Sequence, residues 1–208
     1  MTVAPSRGSV VGHDGAMRRL AWFLALATAF ALLVPTFALA QEARVVGTVD
    51  GLLGGEPRSW YFLEFDTEDG PQATAYYLDV MPGTGLFGLT FQAHAEPRFV
   101  TEGTLSIDLT LFGGLPSGCP CELDEVEVLY FSASSMFSEV YVSDEPGTAS
   151  LTLTRFDEIE PGVFAVEGHF EALLHYLEAL GSPVDVGRPL AVSGSFVIER
   201  FAEASIDD

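Results

Sequence analysis

From Ala43 onward, apolar residues fall in short runs or alternate with polar ones, and Gly, Pro and acidic residues interrupt them every few positions. That rhythm predicts antiparallel β structure, because a period of two sets one row of side chains on a core and the other toward water. Leu105, Ile107, Leu109 and Leu111 alternate with Ser106, Asp108 and Thr110, and Leu151 and Leu153 alternate with Thr152 and Thr154. Read this way, strands lie near Ala43 to Val49, Ser59 to Phe65, Ala73 to Val80, Leu86 to His94, Gly103 to Phe112, Val126 to Ser132, Glu139 to Val142, Ala149 to Phe156, Gly162 to Phe170 and Leu190 to Phe201. Hairpins are expected at Glu68-Asp69-Gly70-Pro71 and Glu160-Pro161-Gly162, where Gly supplies positive φ and Pro pre-sets a turn dihedral.

The fold class that follows is all-β, an antiparallel β-sandwich of about ten strands, with a closed barrel as the alternative. One segment departs from the pattern. Phe170, Leu173, Leu174, Leu177 and Leu180 recur at helical spacing opposite Glu171, His175 and Glu178, with Gly181 and Pro183 as stop signals. At most one short helix is therefore expected, near 171–180, and Glu171 to Leu174 fit the end of a strand almost as well. A shorter echo, Val-x-Gly-x-Phe, occurs at Val166-Gly168-Phe170 and again at Val192-Gly194-Phe196, placing each Gly beside bulky residues on one strand face.

The first 40 residues are of another kind. Arg18 and Arg19 precede the uncharged apolar stretch Leu20 to Val34, Pro35 interrupts it, and Ala38-Leu39-Ala40 puts small side chains where a signal peptidase accepts them. Cleavage between Ala40 and Gln41 is the expectation, with a retained anchor over residues 20–40 as the competitor and Met17 as an alternative start. Export to the periplasm or beyond follows, leaving one domain over residues 41–208 without a membrane span.

Charge narrows the classes of partner. Residues 41–208 carry six Arg, no Lys and 29 acidic residues, a formal charge of −23. Such a field repels nucleic acid and anionic headgroups and favours cations and cationic partners. A solvated surface explains most of the acidity.

Candidate chemistry is sparse. Cys119-Pro120-Cys121 predicts a local disulfide, tight because one residue separates the thiols, with soft-metal binding, redox activity, free thiols or an interchain bridge as alternatives. His94, His169 and His175 are the histidines after residue 40, and His169, Glu171 and His175 are the one group with the spacing for a metal or acid–base site. Asp66, Glu68 and Asp69 in one turn, and Glu122, Asp124, Glu125 and Glu127 in another, offer loose calcium sites, and no other cofactor is predicted. Trp60, Tyr61, Tyr76 and Tyr77 lie on strands that the Asp69-Gly70 turn is expected to pair, a candidate aromatic platform. No nucleophile elbow or phosphate-cradling glycine motif is present. These features favour an exported binding or envelope module acting on an extracytoplasmic ligand or protein. The alternatives are a metal-assisted enzyme at the histidine–carboxylate group and a carrier of a small apolar ligand.

Overall fold

The computed structural model describes residues 43–68, 70–123, 125–135, 137–143, 147–179 and 181–204. All of them belong to the unit Gln41–Asp208. Twelve strands build it: β1 Arg44–Leu53, β2 Glu56–Thr67, β3 Gly70–Ala73, β4 Ala75–Met81, β5 Leu86–Ala93, β6 Leu105–Phe112, β7 Cys121–Leu123, β8 Glu127–Phe131, β9 Ser138–Val142, β10 Ala149–Glu160, β11 Val163–Ala179 and β12 Asp185–Glu203. Both predicted hairpins form, β2–β3 closing at Thr67 and Gly70 and β10–β11 at Glu160 and Val163.

The strands run in the order β3-β2-β1-β12-β4-β5-β6-β8-β9-β11-β10-β7, and β11 also pairs with β12. One layer is therefore β10-β11-β12-β1-β2, and the other is β4-β5-β6-β8-β9. The two longest strands join them. β12 leaves the first layer to run parallel with β4 at Ala202 and Glu203, while the far end of β11 pairs with β9 over His175 to Ala179. The result is a sandwich whose layers are stitched into a partial ring, all antiparallel apart from the β12–β4 contact.

Phenylalanine rings fill the space between the layers. Phe62, Phe91, Phe196 and Phe201 are each at most 1% exposed, and Phe91 stacks on Phe201 at 5.1 Å. The Val-x-Gly-x-Phe echo becomes a reciprocal cross-strand device, since Gly168 lies opposite Phe196 and Phe170 opposite Gly194. Each ring covers the glycine across from it, which lets two large aromatics share one face without collision.

Of the segment where at most a short helix was expected, residues 171–179 form the second half of β11, Leu180 lies outside the described residues, and among the described residues there is no helix. The physical reason is double burial. Leu174 faces the main core, whereas Leu177 faces a smaller cluster on the opposite side with Phe131, Val140 and Val142. Burial on both faces erases the alternation, and the ladders to β12 and β9 override a weak helical period. The strand expected over Ala73 to Val80 is likewise divided. At Thr74 the chain exchanges backbone and hydroxyl hydrogen bonds with Leu63 and crosses from the first layer to the second.

Candidate functional site

The histidine–carboxylate group sits on β11, where His169, Glu171 and His175 occupy alternate positions on the outward face. They line up along the strand and do not converge, and among the described residues no three His, Cys, Asp or Glu side chains gather as a metal site. The acidic turns are spread out as well. Asp66 and Glu122 are exposed in β2 and β7, Glu68 and Glu125 are exposed beside them, and Glu127 belongs to β8. Asp69 and Asp124 lie outside the described residues, as do Ala40 and Gln41 at the expected cleavage point.

The expected aromatic platform is not assembled, because the Asp69-Gly70 turn pairs β2 with β3 while β4 belongs to the other layer. Trp60 and Tyr77 are core residues, 2% and 6% exposed. Tyr61 bridges to His94 through its backbone, and Tyr76 stands beside Thr90. Cys119 and Cys121 are joined by a disulfide that packs half-buried on the main core.

A different set of aromatics is brought together. Tyr130 on β8, Tyr141 on β9 and Tyr176 on β11 occupy register-paired positions across three adjacent strands, with ring centroids 6.4 and 5.4 Å apart. The row is half-buried at one end of the sandwich, where Tyr130 and Tyr141 rest on the core and their outer edges reach solvent. Arg188 of β12 lays its guanidinium 3.5 Å from the centre of the Tyr176 ring, a cation–π contact that also fixes the orientation of the charge.

Tyr130 opens onto a cleft of about 670 Å³ between the β1–β2 hairpin, the 95–103 loop and the β8–β9 loop. Leu53, Trp60, Arg58, Ser59, Ser132 and Ser134 are among its lining residues. Arg58 shares a strand face with Trp60 and Phe62 by the period of two, but at the open end, where it is solvated. Burial raises the pKa of the Tyr130 hydroxyl, the positive charge of Arg58 pulls it back, and the Glu102 carboxylate of the same cleft raises it again.

The cleft wall is pinned from beneath. His94 is fully buried, and its Nδ1–H donates to the Val100 carbonyl at 2.6 Å, a carbonyl that also accepts the Thr104 hydroxyl at 2.6 Å. Phe99 covers the imidazole at 4.8 Å, and Nε2 has no partner. Burial lowers the His94 pKa, so the ring is held neutral.

A second polar row crosses the outer face of β4-β5-β6-β8, where Tyr76, Thr90, Asp108 and Glu127 are successive register partners. Asp108 accepts from Thr90 at 2.7 Å and from Ser106 at 2.6 Å. Burial pushes its pKa up, and the two hydroxyls hold it back only in part. Glu127 is pushed up to about 7, by burial first and the neighbouring Asp108 charge second. Two carboxyls opposite one another on adjacent strands cannot both ionise cheaply, so the pair retains a proton toward neutral pH.

Nothing local in the sequence marks Tyr130, Tyr141, Tyr176, Arg58, Arg188 or Asp108 as site residues. Each comes from a different strand or strand end, so no local spacing marks them. The one usable signal is the scarcity of arginine, six in residues 41–208, which makes the placement of each guanidinium informative. Comparison with known proteins returned no match, whether to a family model, a curated protein or a solved structure.

Proposed function

We propose that this chain is an exported binding module whose ligand lies in the cleft beside Trp60 and along the tyrosine row. The carrying observation is that three tyrosines from three different strands form one continuous half-buried surface that opens into the cleft. Strand-borne aromatics give large, rigid contact area at small entropic cost. The phenylalanine-filled interior favours a surface ligand over an apolar molecule carried within, and the spread of His169, Glu171 and His175 along one strand favours binding over metal-assisted catalysis.

Trp60 provides the test. It is the one tryptophan after residue 40, and its indole N–H donates to the Gly103 carbonyl at 2.9 Å in the cleft wall. Exported protein screened on a glycan array, with hits titrated by Trp60 emission, should give saturable changes that Tyr141→Ala abolishes. Absence of any hit, or binding indifferent to Tyr141→Ala, would count against the reading.

A further inference from the structure

We infer that one end of the β4-β5-β6 sheet is a lipid-docking tip, which lays Val80, Met81 and Phe112 into the interfacial region of an uncharged bilayer. Register builds the patch. Met81 lies opposite Leu86 and Leu86 opposite Phe112, so apolar side chains form a row across β4, β5 and β6. Cross-strand partners share a sheet face, and this one is the outward face, because the alternate residues Phe87 and Leu111 pack on the core. Val80 joins the row at the β4 bulge, on the side toward which a side chain at Gly88 would point. Phe112 is 80% exposed, the most of any large apolar side chain among the described residues, with Met81 at 56% and Val80 at 48%.

Charge sets this end apart. Residues 80–95 and 109–121 contain no Asp, Glu, Lys or Arg, and they are the two longest such stretches after residue 40, where 35 of 168 residues are charged. The sequence separates the two stretches and the fold joins them. β5 pairs with β6 along its length, and the Gly113 and Gly114 amides donate to the Gly85 carbonyl at 3.0 and 3.2 Å. Asp79, the acid next to the patch on β4, is half-buried with its Oδ1 out of solvent. A strongly anionic chain thus presents an uncharged, apolar end.

Area and field together select the occupant. A stable dimer buries about 800 Å² and 20–30 residues on each partner, more than one row of strand ends and the exposed turn Pro82 to Thr84 supply. It would also bring two charges of −23 together. A bilayer interface needs no matching partner surface, and its affinity scales with the apolar area inserted. The same field chooses the lipid, since anionic headgroups are repelled and zwitterionic ones are not. Glu158 and Glu203 act electrostatically on Tyr77 of β4, so anionic headgroups are opposed locally as well. The tip stands apart from the cleft, because Tyr130 pairs with Leu105 at the opposite end of β6 from Phe112.

The experiment floats the exported protein, its N-terminus read by intact mass, with phosphatidylcholine vesicles at 0.15 M NaCl. Wild type should partition saturably, Phe112→Ser roughly tenfold more weakly and Met81→Ser several-fold more weakly. Val197→Ser, at an exposed apolar residue placed opposite Thr48 and Glu167, should change nothing, and neither should Tyr141→Ala in the cleft row. Phe112, Met81 and Val197 are exposed, so their replacement leaves the fold intact, which circular dichroism melts check. In a Phe112→Trp variant the added emission should shift blue on binding and be quenched by bromine on the acyl chains. Replacing part of the lipid by phosphatidylglycerol should weaken binding more at 0.01 M than at 0.15 M NaCl. Failure to float, partition indifferent to Phe112→Ser, an equal loss in Val197→Ser, or tighter binding to the anionic vesicles overturns the inference. So does a dimer in sedimentation equilibrium that Phe112→Ser dissolves, which would assign the row to a second copy.

Discussion

Replacing Gly168 by alanine tests the reciprocal glycine–phenylalanine packing directly. A Cβ built at Gly168 would stand 2.7 Å from the Thr152 carbonyl oxygen and 2.8 Å from Cζ of Phe196. The first neighbour is backbone of β10 and the second a ring 1% exposed, so neither yields without shifting a strand or the core. Overpacking of this kind costs typically 1–3 kcal/mol, and for a domain of this size each kcal/mol lowers the melting temperature by roughly 2–4 °C. Gly168→Ala should therefore melt roughly 4–8 °C below wild type. Gly194→Ala should lose less, because the neighbours of its Cβ would stand further off, Val49 Cγ1 at 3.0 Å, Phe170 Cε1 at 3.1 Å and the Asp50 carbonyl oxygen at 3.2 Å. Gly88 is the control, a strand glycine whose Cβ would touch only Val80 Cγ2 at 3.6 Å. There alanine should be neutral or add roughly 0.4–1 kcal/mol by restricting the unfolded chain. Phe196→Leu in the Gly168→Ala background should recover part of the loss, with the Thr152 contact remaining. Calorimetric melts of the four variants decide the matter. The packing account fails if Gly168→Ala melts at or above wild type, or if Gly88→Ala is the worst of the three glycine substitutions.

Glu127, raised to about 7 in the folded chain against 4.5 unfolded, binds its proton more tightly when folded, so its contribution to stability falls as pH rises between those values. Glu127→Gln should flatten that fall, by on the order of 2 kcal/mol across the window, in urea melts from pH 5 to 8. His94 acts with the opposite sign. Its lowered pKa means the unfolded chain protonates first, and stability is lost as pH drops below about 6.5; His94→Asn, which preserves a donor toward Val100, should remove this acid limb, and an unchanged limb would show the histidine to be irrelevant to it. The double Cys119→Ser, Cys121→Ser variant should melt within a few degrees of wild type, because a ring closed across one residue restricts the unfolded chain very little. Melting temperature should rise from 0.01 to 0.15 M NaCl as self-repulsion among 29 acids is screened, and calcium at matched ionic strength should add nothing; a saturable calcium gain lost on Asp66→Ala would refute this. Protein from the extracytoplasmic fraction should begin at Gln41, read by intact mass.

Much of the fold was legible because alternation reports a sandwich's two environments. Leu105, Ile107 and Leu109 are 1%, 1% and 5% exposed as the pattern implies, and ten of the twelve strands lie within a few residues of their predicted positions or extend from them. The failures share one cause, which is tertiary contact outweighing local pattern. β7 is three residues long and exists only by pairing with Leu151 to Leu153, so its own sequence carries no period to read. The split at Thr74 depends on hydrogen bonds to Leu63, a neighbour eleven residues away, with no Gly or Pro to announce it. The helical appearance of residues 171–180 reflects a strand that buries both faces, Leu174 inward and Leu177 outward.

The candidate site was less legible for a related reason. Catalytic motifs on turns or single helices keep their residues at fixed sequence spacing, whereas a row built across a sheet takes one residue from each strand at intervals set by loop lengths. Tyr130, Tyr141 and Tyr176 meet because β8 pairs with β9 and β9 with β11, a register invisible until strand order is known. Asp108 and Glu127 meet the same way, and in the sequence Asp108 reads as an ordinary solvent-facing residue of an alternating strand. The adjacent Trp60-Tyr61 and Tyr76-Tyr77 pairs attracted attention because they are local, yet adjacency in a strand sends one ring to each face, which is why Trp60 and Tyr77 are core while their neighbours are not. In a sheet protein the sequence-local cluster is the poorer guide to a surface. The better guide is a residue type that the composition makes scarce, and here that is arginine, six in residues 41–208.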